Sequence, residues 1–154
     1  MMNEDDFFGL QNYTREIYGP TGQIQPDENT ETTQMGYEYH PEALGKVVEE
    51  VAKSITIPIM IRENGVSTAD DDKKREVSLE RALNSLYGSI EKGIEIIGYL
   101  HWSTFDNFEW QSGYGMQFGL IEVDRQTQVR NPKNSAYYLG EIAKENKLVA
   151  NVKA

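Results

Sequence analysis

Pro58–Gly65, with the sequence PIMIRENG, contains the clearest structural signal in this chain. Its apolar run is too short for a helix and is hydrophobic on both faces, which is typical of a strand buried in a parallel sheet. The run ends at Glu63, and the turn-forming pair Asn64-Gly65 follows at once. Because α/β folds place their chemistry at the carboxyl ends of their strands, Glu63 is expected to face a cleft. From this octapeptide alone, a strand-end carboxylate without a catalytic role is the simpler interpretation.

A second apolar run, beginning at Ile94, ends in aromatic and acidic residues. Its distal part, Gly98–Trp110, has the sequence GYLHWSTFDNFEW. Two predicted strands therefore deliver carboxylates and tryptophans to one edge of a sheet. Aromatic faces stack on the C–H face of a pyranose ring, and carboxylates accept hydrogen bonds from its hydroxyls. The two segments together favour a sugar-binding site over an ordinary strand end.

The composition is that of a single globular domain without a nucleic-acid partner. The 154 residues are 38% hydrophobic, which is enough for a packed core. A formal net charge of −10 argues against nucleic-acid and anionic-membrane partners. With no cysteine, no disulfide can form. The first residues carry neither a basic segment nor an apolar stretch, so we expect no signal peptide, no membrane partner and a cytoplasmic location.

Strand-like and helix-like segments alternate three times, which predicts an α/β fold with parallel strands. The predicted strands are Asp6–Thr14, Ile55–Ile61 and Ile94–Trp102. The first helix opens at Pro41, because proline is favoured at a first helical position. Apolar residues at helical spacing predict the buried faces of two helices: Leu44, Val47, Val48 and Val51 in the first, and Leu79, Ala82, Leu83, Leu86, Tyr87 and Ile90 in the second.

The segments that connect these elements carry turn and loop signals. The run Asp70-Asp71-Asp72 is more typical of a solvated loop than of a metal site, and His40 and His101 each favour a structural role. No metal or cofactor is therefore expected. The remaining predicted features are a polar loop up to Met35, a charged loop over Ala69–Lys74, a hairpin over Phe118–Val129 with its turn near Asp124–Thr127, a last helix from Asn131-Pro132, and a frayed end over Leu148–Ala154.

Four blocks carry a resemblance to the C-terminal part of a retaining β-glycosidase of glycoside hydrolase family 1, the β-glucosidase family. The pattern WS…DNFEW…GY…FG in the last block is very specific, and the similarity extends over nearly the whole chain. The blocks are Asp6–Arg15 (DFFGLQNYTR), Thr33–Pro41 (TQMGYEYHP), Pro58–Gly65 (PIMIRENG) and Gly98–Pro132 (GYLHWSTFDNFEWQSGYGMQFGLIEVDRQTQVRNP).

The resemblance implies a fold class as well as a chemistry. Family members are (β/α)8 TIM barrels, and residues 1–154 resemble the last three β/α units, from strand 6 to helix 8. Such a barrel needs about 250 residues, so the chain is expected to be incomplete on its own. Open sheet edges and unpartnered apolar faces, at Ile59, Ile61, Ile96 and Tyr99, would then require the missing N-terminal barrel portion, self-association or a longer protein.

By resemblance, Glu63 matches the catalytic nucleophile in the Glu-Asn-Gly motif of the family. Tyr13 matches the tyrosine that hydrogen-bonds this nucleophile and orients it. Gln11 stands where many members carry asparagine and is assigned to substrate binding. Arg62 replaces the threonine that usually precedes the nucleophile, and its side chain is expected to point to the opposite face of the strand.

Four further residues match the sugar subsite of the family. Trp102 corresponds to the aromatic platform beneath the ring, Glu109 and Trp110 to the pair that bonds its outer hydroxyls, and Phe118 to another lining aromatic. A carboxylate at Glu109 suits a neutral hexose and would repel a sugar phosphate. The resemblance thus implies hydrolysis of unphosphorylated β-D-glycosides through a covalent glycosyl-enzyme intermediate.

The general acid/base of the family lies in an Asn-Glu-Pro motif, which this sequence lacks. Asn3-Glu4 is followed by Asp5 and precedes the first predicted strand, so it is no substitute. Two alternatives therefore stay open: a fragment that binds sugar or a partner without catalysis, and a half-barrel module that assembles with an N-terminal half. The preference among glucoside, galactoside and fucoside, and the aglycone, also stay open.

Overall fold

The computed structural model describes residues 4–70 and 74–148. Within them, a three-stranded parallel sheet and three helices alternate in the predicted order, with two short antiparallel hairpins inserted. In chain order the elements are β1 (Phe8–Gln11), β2 (Ile17–Gly19), β3 (Gly22–Ile24), α1 (Ala43–Ala52), β4 (Ile59–Asn64), α2 (Glu76–Glu91), β5 (Ile96–His101), a short 3₁₀ turn (Trp110–Ser112), β6 (Ile121–Val123), β7 (Arg130–Pro132) and α3 (Asn134–Glu145).

The parallel sheet has the order β1-β4-β5, so the strand that carries Glu63 is central. One face of this sheet is packed against the helices, and the hydrophobic core lies between the two layers. Ile61 of β4 is fully buried there, beside Leu10 of β1. From the helices, Leu44 and Leu83 contribute to the same cluster. Burial of these aliphatic side chains is the main force that holds the helices on the sheet.

The four apolar residues that were expected to lack partners lie on the covered face of the sheet, so this prediction is wrong. Ile59 and Ile61 are buried beneath the helices, and Ile96 and Tyr99 pack against the same core. The exposed aliphatic residues of β5 are Ile97 and Leu100, which keep 52% and 50% of their surface accessible. Side chains alternate between the two faces of a strand, and the positions of the helices determine which set is covered. The register shift between β4 and β5 after Ile59 allows both Ile96 and Tyr99 to pack on the same core.

Several predicted boundaries also shift. The polar loop before Met35 contains the β2–β3 hairpin, and α1 begins at Ala43 rather than Pro41. Asn131 and Pro132 belong to β7, so the last helix begins at Asn134. Proline is tolerated in β7 because a two-stranded ribbon leaves one edge of each strand without ladder partners.

The buried face of α2 is narrower than predicted. Tyr87 and Ile90 of α2 are 49% and 45% exposed, whereas Leu79, Ala82, Leu83 and Leu86 are buried as predicted. The turn at Asp124–Thr127 is confirmed, since Asp124 Oδ1 accepts hydrogen bonds from two backbone amides within it. Residues 149–154 of the expected frayed end and residues 71–73 of the charged loop lie outside the described residues. Among the described helices, none combines the length and the apolar character needed to span a membrane.

Asn64 and Gly65 join the carboxyl ends of all three parallel strands. The buried Asn64 side chain donates from Nδ2 to the carbonyl of Asn12 (2.8 Å) and accepts at Oδ1 from the Tyr99 hydroxyl (2.9 Å). Its own carbonyl accepts from the amide of Trp102 at 2.9 Å. At Gly65, an added Cβ would lie 1.8 Å from the Trp102 carbonyl oxygen. The close approach that places Trp102 beside Glu63 therefore requires glycine at this position.

Gly65→Ala is expected to destabilise the fold by about 3 kcal/mol or more, because the new methyl group overlaps the Trp102 carbonyl. Gly88→Ala, where an added Cβ meets nothing within 4 Å, is the matched control. It should stabilise α2 by about 0.5–1 kcal/mol. Urea unfolding followed by circular dichroism measures both changes. Equal stability of Gly65→Ala and the wild type would contradict the close packing described here.

Candidate active site

A cleft of about 580 Å³ opens at the carboxyl ends of the parallel strands. Seven residues that the sequence predicts for the site come from segments far apart in the chain, and all seven line the walls of this cleft. They are Gln11, Tyr13, Glu63, Trp102, Glu109, Trp110 and Phe118. Their shared location is a structural observation, whereas their individual roles stay predictions.

Glu63 is held at both carboxylate oxygens. Gln11 donates from Nε2 to Oε1 at 2.8 Å, and the Tyr13 hydroxyl donates to Oε2 at 2.6 Å. Both donors come from the segment at the end of β1, the neighbouring strand, which pairs Gln11 with Glu63 in register. Two hydrogen bonds to one carboxylate fix its orientation.

The Tyr13 hydroxyl is kept in its protonated form. Burial raises the pKa of Tyr13 well above its ordinary value, and the hydrogen bond to Glu63 and the charges of Glu63 and Glu109 raise it further. The Tyr13 ring meets the buried Phe118 edge to face, with centroids 5.9 Å apart. Tyr13 is therefore a fixed hydrogen-bond donor to Glu63 rather than a proton acceptor.

Glu109 also lines the cleft and lies in the segment after β5. Its side chain is buried, and Asn107 Nδ2 donates to its Oε2 at 3.1 Å. Its backbone amide bonds to the carbonyl of Gly113 at 2.7 Å, which closes a tight turn. Trp110 follows with a positive φ of 42° and is 80% exposed. The turn thus directs a carboxylate inward and leaves an indole at the rim.

The segment that carries Glu109 is anchored by an ion pair that the sequence analysis missed. Lys133 Nζ bonds both carboxylate oxygens of the buried Asp106, at 3.0 and 2.9 Å, and the carbonyl of Gly119 at 2.8 Å. The Gly119 amide donates to Asp106 Oδ1 at 2.8 Å. An added Cβ at Gly119 would lie 2.1 Å from the Asp106 amide nitrogen. Asp106 and Gly119 belong to the quoted DNFEW and FG motifs, and this membership is the one indication of the anchor that the sequence contains.

Met35 and Tyr37 also line the cleft and were not predicted to do so. They belong to the quoted block TQMGYEYHP, so the motif was visible in the sequence. Hydrogen bonds from Gln34 hold this segment in place: its amide bonds the carbonyl of Ser67 at 3.1 Å, and its Oε1 accepts from the amide of Gln117 at 3.0 Å.

The chemical content of the cleft is carboxylates, a phenol and aromatic faces. Among residues 4–70 and 74–148, no three His, Cys, Asp or Glu side chains are grouped as a metal site would require. The Nδ1 atom of His101 lies 3.5 Å from the hydroxyl oxygen of Tyr99. Neither His101 nor His40 is among the residues that line the cleft. Burial lowers the pKa of His40. The arrangement suits hydrogen bonding to hydroxyl groups and attack by an oriented carboxylate.

Comparison with known proteins agrees with this chemistry. The family model described as Glycosyl hydrolase family 1 matches residues 2–148. The chloroplastic β-glucosidase-like SFR2 protein of Oryza sativa subsp. japonica is 33% identical to this chain, and the match covers 94% of this chain and 24% of that protein.

Solved structures show the same likeness. An apo structure of a β-glucosidase, 1317, has a TM-score of 0.88 and 41% identity, covering 96% of this chain and 36% of that chain. The β-glucosidase of Thermotoga maritima in complex with glucoimidazole has a TM-score of 0.83 and 30% identity, covering 93% and 35%. The chain thus spans about a quarter to a third of the length of the relatives it matches.

In Tyr13→Phe, the free energy of unfolding is expected to fall less steeply with rising pH than in the wild type. Above the ordinary tyrosine pKa of about 10, the unfolded chain releases a proton that folded Tyr13 keeps, so the free energy of unfolding falls as pH rises. Each such tyrosine contributes up to about 1.4 kcal/mol per pH unit. Burial also raises the pKa of Tyr138, to about 12, so the slope should decrease without vanishing. Urea unfolding between about pH 9 and 11 measures it, and an unchanged slope would contradict the assignment.

Lys133→Met is expected to destabilise the fold by about 2–3 kcal/mol, because it leaves the buried Asp106 carboxylate without its cation. Lys53→Met is the control, since the Lys53–Glu50 pair is exposed on both sides and its loss should leave stability nearly unchanged. Urea unfolding gives the free energies. Hydrogen exchange at the Gly119 amide should become faster in Lys133→Met and not in Lys53→Met. Unchanged slow exchange in Lys133→Met would show that the Asp106–Lys133 pair is dispensable.

Proposed function

The chain belongs to glycosyl hydrolase family 1, as its sequence blocks predicted, and we propose that it is the nucleophile-bearing part of a retaining β-glycosidase. Its three strand–helix units correspond in this proposal to the last three units of the barrel, from strand 6 to helix 8, over residues 1–154. Glu63 attacks the anomeric carbon of a terminal β-D-glycoside, and the C–O bond to the aglycone breaks. A covalent glycosyl-enzyme intermediate results, which water then hydrolyses.

The observation that carries this proposal is the geometry around Glu63. Both of its oxygens accept hydrogen bonds, from Gln11 and Tyr13, in a cleft that Trp102 also lines. A nucleophilic carboxylate must be aimed at one carbon atom, and two donors on its oxygens hold it in one orientation. A surface carboxylate without this role gains little from such restraint, because solvent would satisfy it without loss of side-chain entropy.

The second carboxyl group of the reaction comes from outside this chain in our proposal. Retaining enzymes hold their acid/base about 5–5.5 Å from the nucleophile, and the sequence has no Asn-Glu-Pro motif to supply it. The relatives are about three times as long as this chain. A polypeptide equivalent to the remainder of the barrel would therefore supply the acid and complete the sugar subsite.

The buried Glu109 supports an unphosphorylated substrate. Its carboxylate is held by Asn107 and lines the same cleft as Glu63. A carboxylate accepts hydrogen bonds from sugar hydroxyls but repels a phosphate dianion at the same distance. The solved complex of the Thermotoga maritima relative with glucoimidazole supports a sugar-like ligand. We therefore propose terminal, unphosphorylated β-D-glycosides as substrates, with Trp102 as the stacking platform.

A second candidate function is assembly or sugar binding without catalysis. The observation that favours it is the sheet itself, which has three strands and leaves Leu100 on an uncovered face. A chain with half of a site binds sugar weakly and does not turn it over. Weak glucose binding by a monomer that has no hydrolytic activity would support this alternative.

The test of the proposed function is hydrolysis of an aryl β-glucoside by the chain after mixing with the part of the Thermotoga maritima β-glucosidase that it does not cover. Activity is expected in the mixture and should fall by roughly 10³–10⁶-fold in Glu63→Gln, because the nucleophile is lost. Glu91→Gln, a substitution at the exposed end of α2, should leave activity unchanged. Proton NMR should show the β anomer as the first product.

Three results would each contradict a part of the proposal. Equal activity of Glu63→Gln and the wild-type mixture would remove Glu63 from the reaction. An α anomer as the first product would exclude a covalent intermediate and indicate inversion instead. Activity of the chain without any added polypeptide, and its loss in Glu63→Gln, would show that the acid lies within these 154 residues.

A further inference from the structure

The face of the parallel sheet that points away from the helices carries a single guanidinium. We call this surface the inner face; it comprises Gly9, Met60, Arg62, Gly98 and Leu100. The Arg62 stem crosses Gly9, where an added Cβ would lie 2.5 Å from Arg62 Cδ. Met60 lies next to Gly98 on the same face, with its Cε 3.7 Å from the position of an added Cβ. Glycines on the two flanking strands thus make room for the long side chains of the central strand.

Arg62 is exposed and makes no hydrogen bond or ion pair with any residue that the structure describes. Other arginines of this chain behave differently. Arg15 binds both carboxylate oxygens of Glu38, and Arg81 binds both oxygens of Glu42. The sequence contains 25 acidic residues, so a shortage of carboxylates does not explain why Arg62 is unpaired among the described residues. The fold holds this guanidinium among Gly9, Met60, Gly98 and Leu100, on the residue that directly precedes Glu63 in β4.

Resting on the proposed function, we infer that Arg62 recognises a carboxylate on the polypeptide that covers the inner face. Covering this face removes water from the guanidinium. An arginine buried without a partner is costly, and Met60 and Leu100 offer no acceptor. A carboxylate matches the planar fork of the guanidinium with two parallel hydrogen bonds. The covering polypeptide therefore carries one aspartate or glutamate at the level of Arg62, among apolar side chains that pack on Met60 and Leu100.

The occupant is a complementary barrel polypeptide rather than a second copy of this chain. Two copies contribute three strands each, six in all, whereas a closed barrel of this class has eight. A second copy would also oppose Arg62 with another Arg62 and would double a net charge of −10. The relatives, by contrast, have roughly two-thirds of their length beyond the part that this chain covers, which is enough for five strand–helix units.

The test uses the uncovered part of the Thermotoga maritima β-glucosidase as the probe. Each inward-facing strand position of the probe is changed in turn to glutamate and, as an isosteric uncharged pair, to glutamine. For at least one position, the glutamate probe is expected to bind the wild-type chain at least ten-fold more tightly than the glutamine probe. This preference should disappear in Arg62→Met and persist in part in Arg62→Lys. Arg130→Met, which removes an exposed arginine on β7, is the control and should retain it.

Three results would overturn the inference: equal binding of glutamate and glutamine probes at every position, a preference that survives in Arg62→Met, or no binding of any probe to the folded wild-type chain. Circular dichroism of each variant establishes that it is folded. The same mixtures are assayed for aryl β-glucoside hydrolysis. Glu63-dependent hydrolysis without an Arg62-dependent preference would refute this inference alone, whereas the preference without hydrolysis would refute the proposed function alone.

Discussion

The hydrogen bonds of Asn64 are the constraint on which the cleft depends. One amide side chain joins the segment after β1 to the hydroxyl of Tyr99 on β5, while its backbone carbonyl holds the amide of Trp102. Buried polar groups are costly unless they are paired, so this network permits only one register of the three strand ends. Glu63 precedes Asn64 directly, and its position is thereby tied to that of Trp102.

The two sides of the cleft are held by different means. Glu63 is oriented by Gln11 and Tyr13 from a neighbouring strand, which is a rigid support. Glu109 lies in a longer irregular segment, and the Asp106–Lys133 pair ties the base of that segment to the residue before α3. An irregular segment needs such an anchor because it has few ladder hydrogen bonds of its own. Without it, the carboxylate proposed to bind sugar hydroxyls would lack a fixed distance from the nucleophile.

The inner face of the sheet connects the architecture to the proposed chemistry. The helices bury one face completely at Ile59 and Ile61, while the opposite face keeps Leu100 and Arg62 accessible. A stable sheet in this class of fold has both faces covered. The same polypeptide that covers the inner face would, in our proposal, bring the acid that Glu63 lacks. Completion of the core and completion of the site are thus one event.

The sequence by itself determined the alternation of three strands and three helices, the family, and the residues that meet in the cleft, because periodicity and motif order are local properties of the chain. The tertiary structure alone decided which face of the sheet is covered, so Ile59 and Tyr99 were assigned wrongly and Leu100 was overlooked. It also decided the Asp106–Lys133 pair and the hydrogen bond from Gln11 to Glu63, which join residues 27 and 52 positions apart. Such contacts depend on how the strands and helices pack, and no local pattern encodes them.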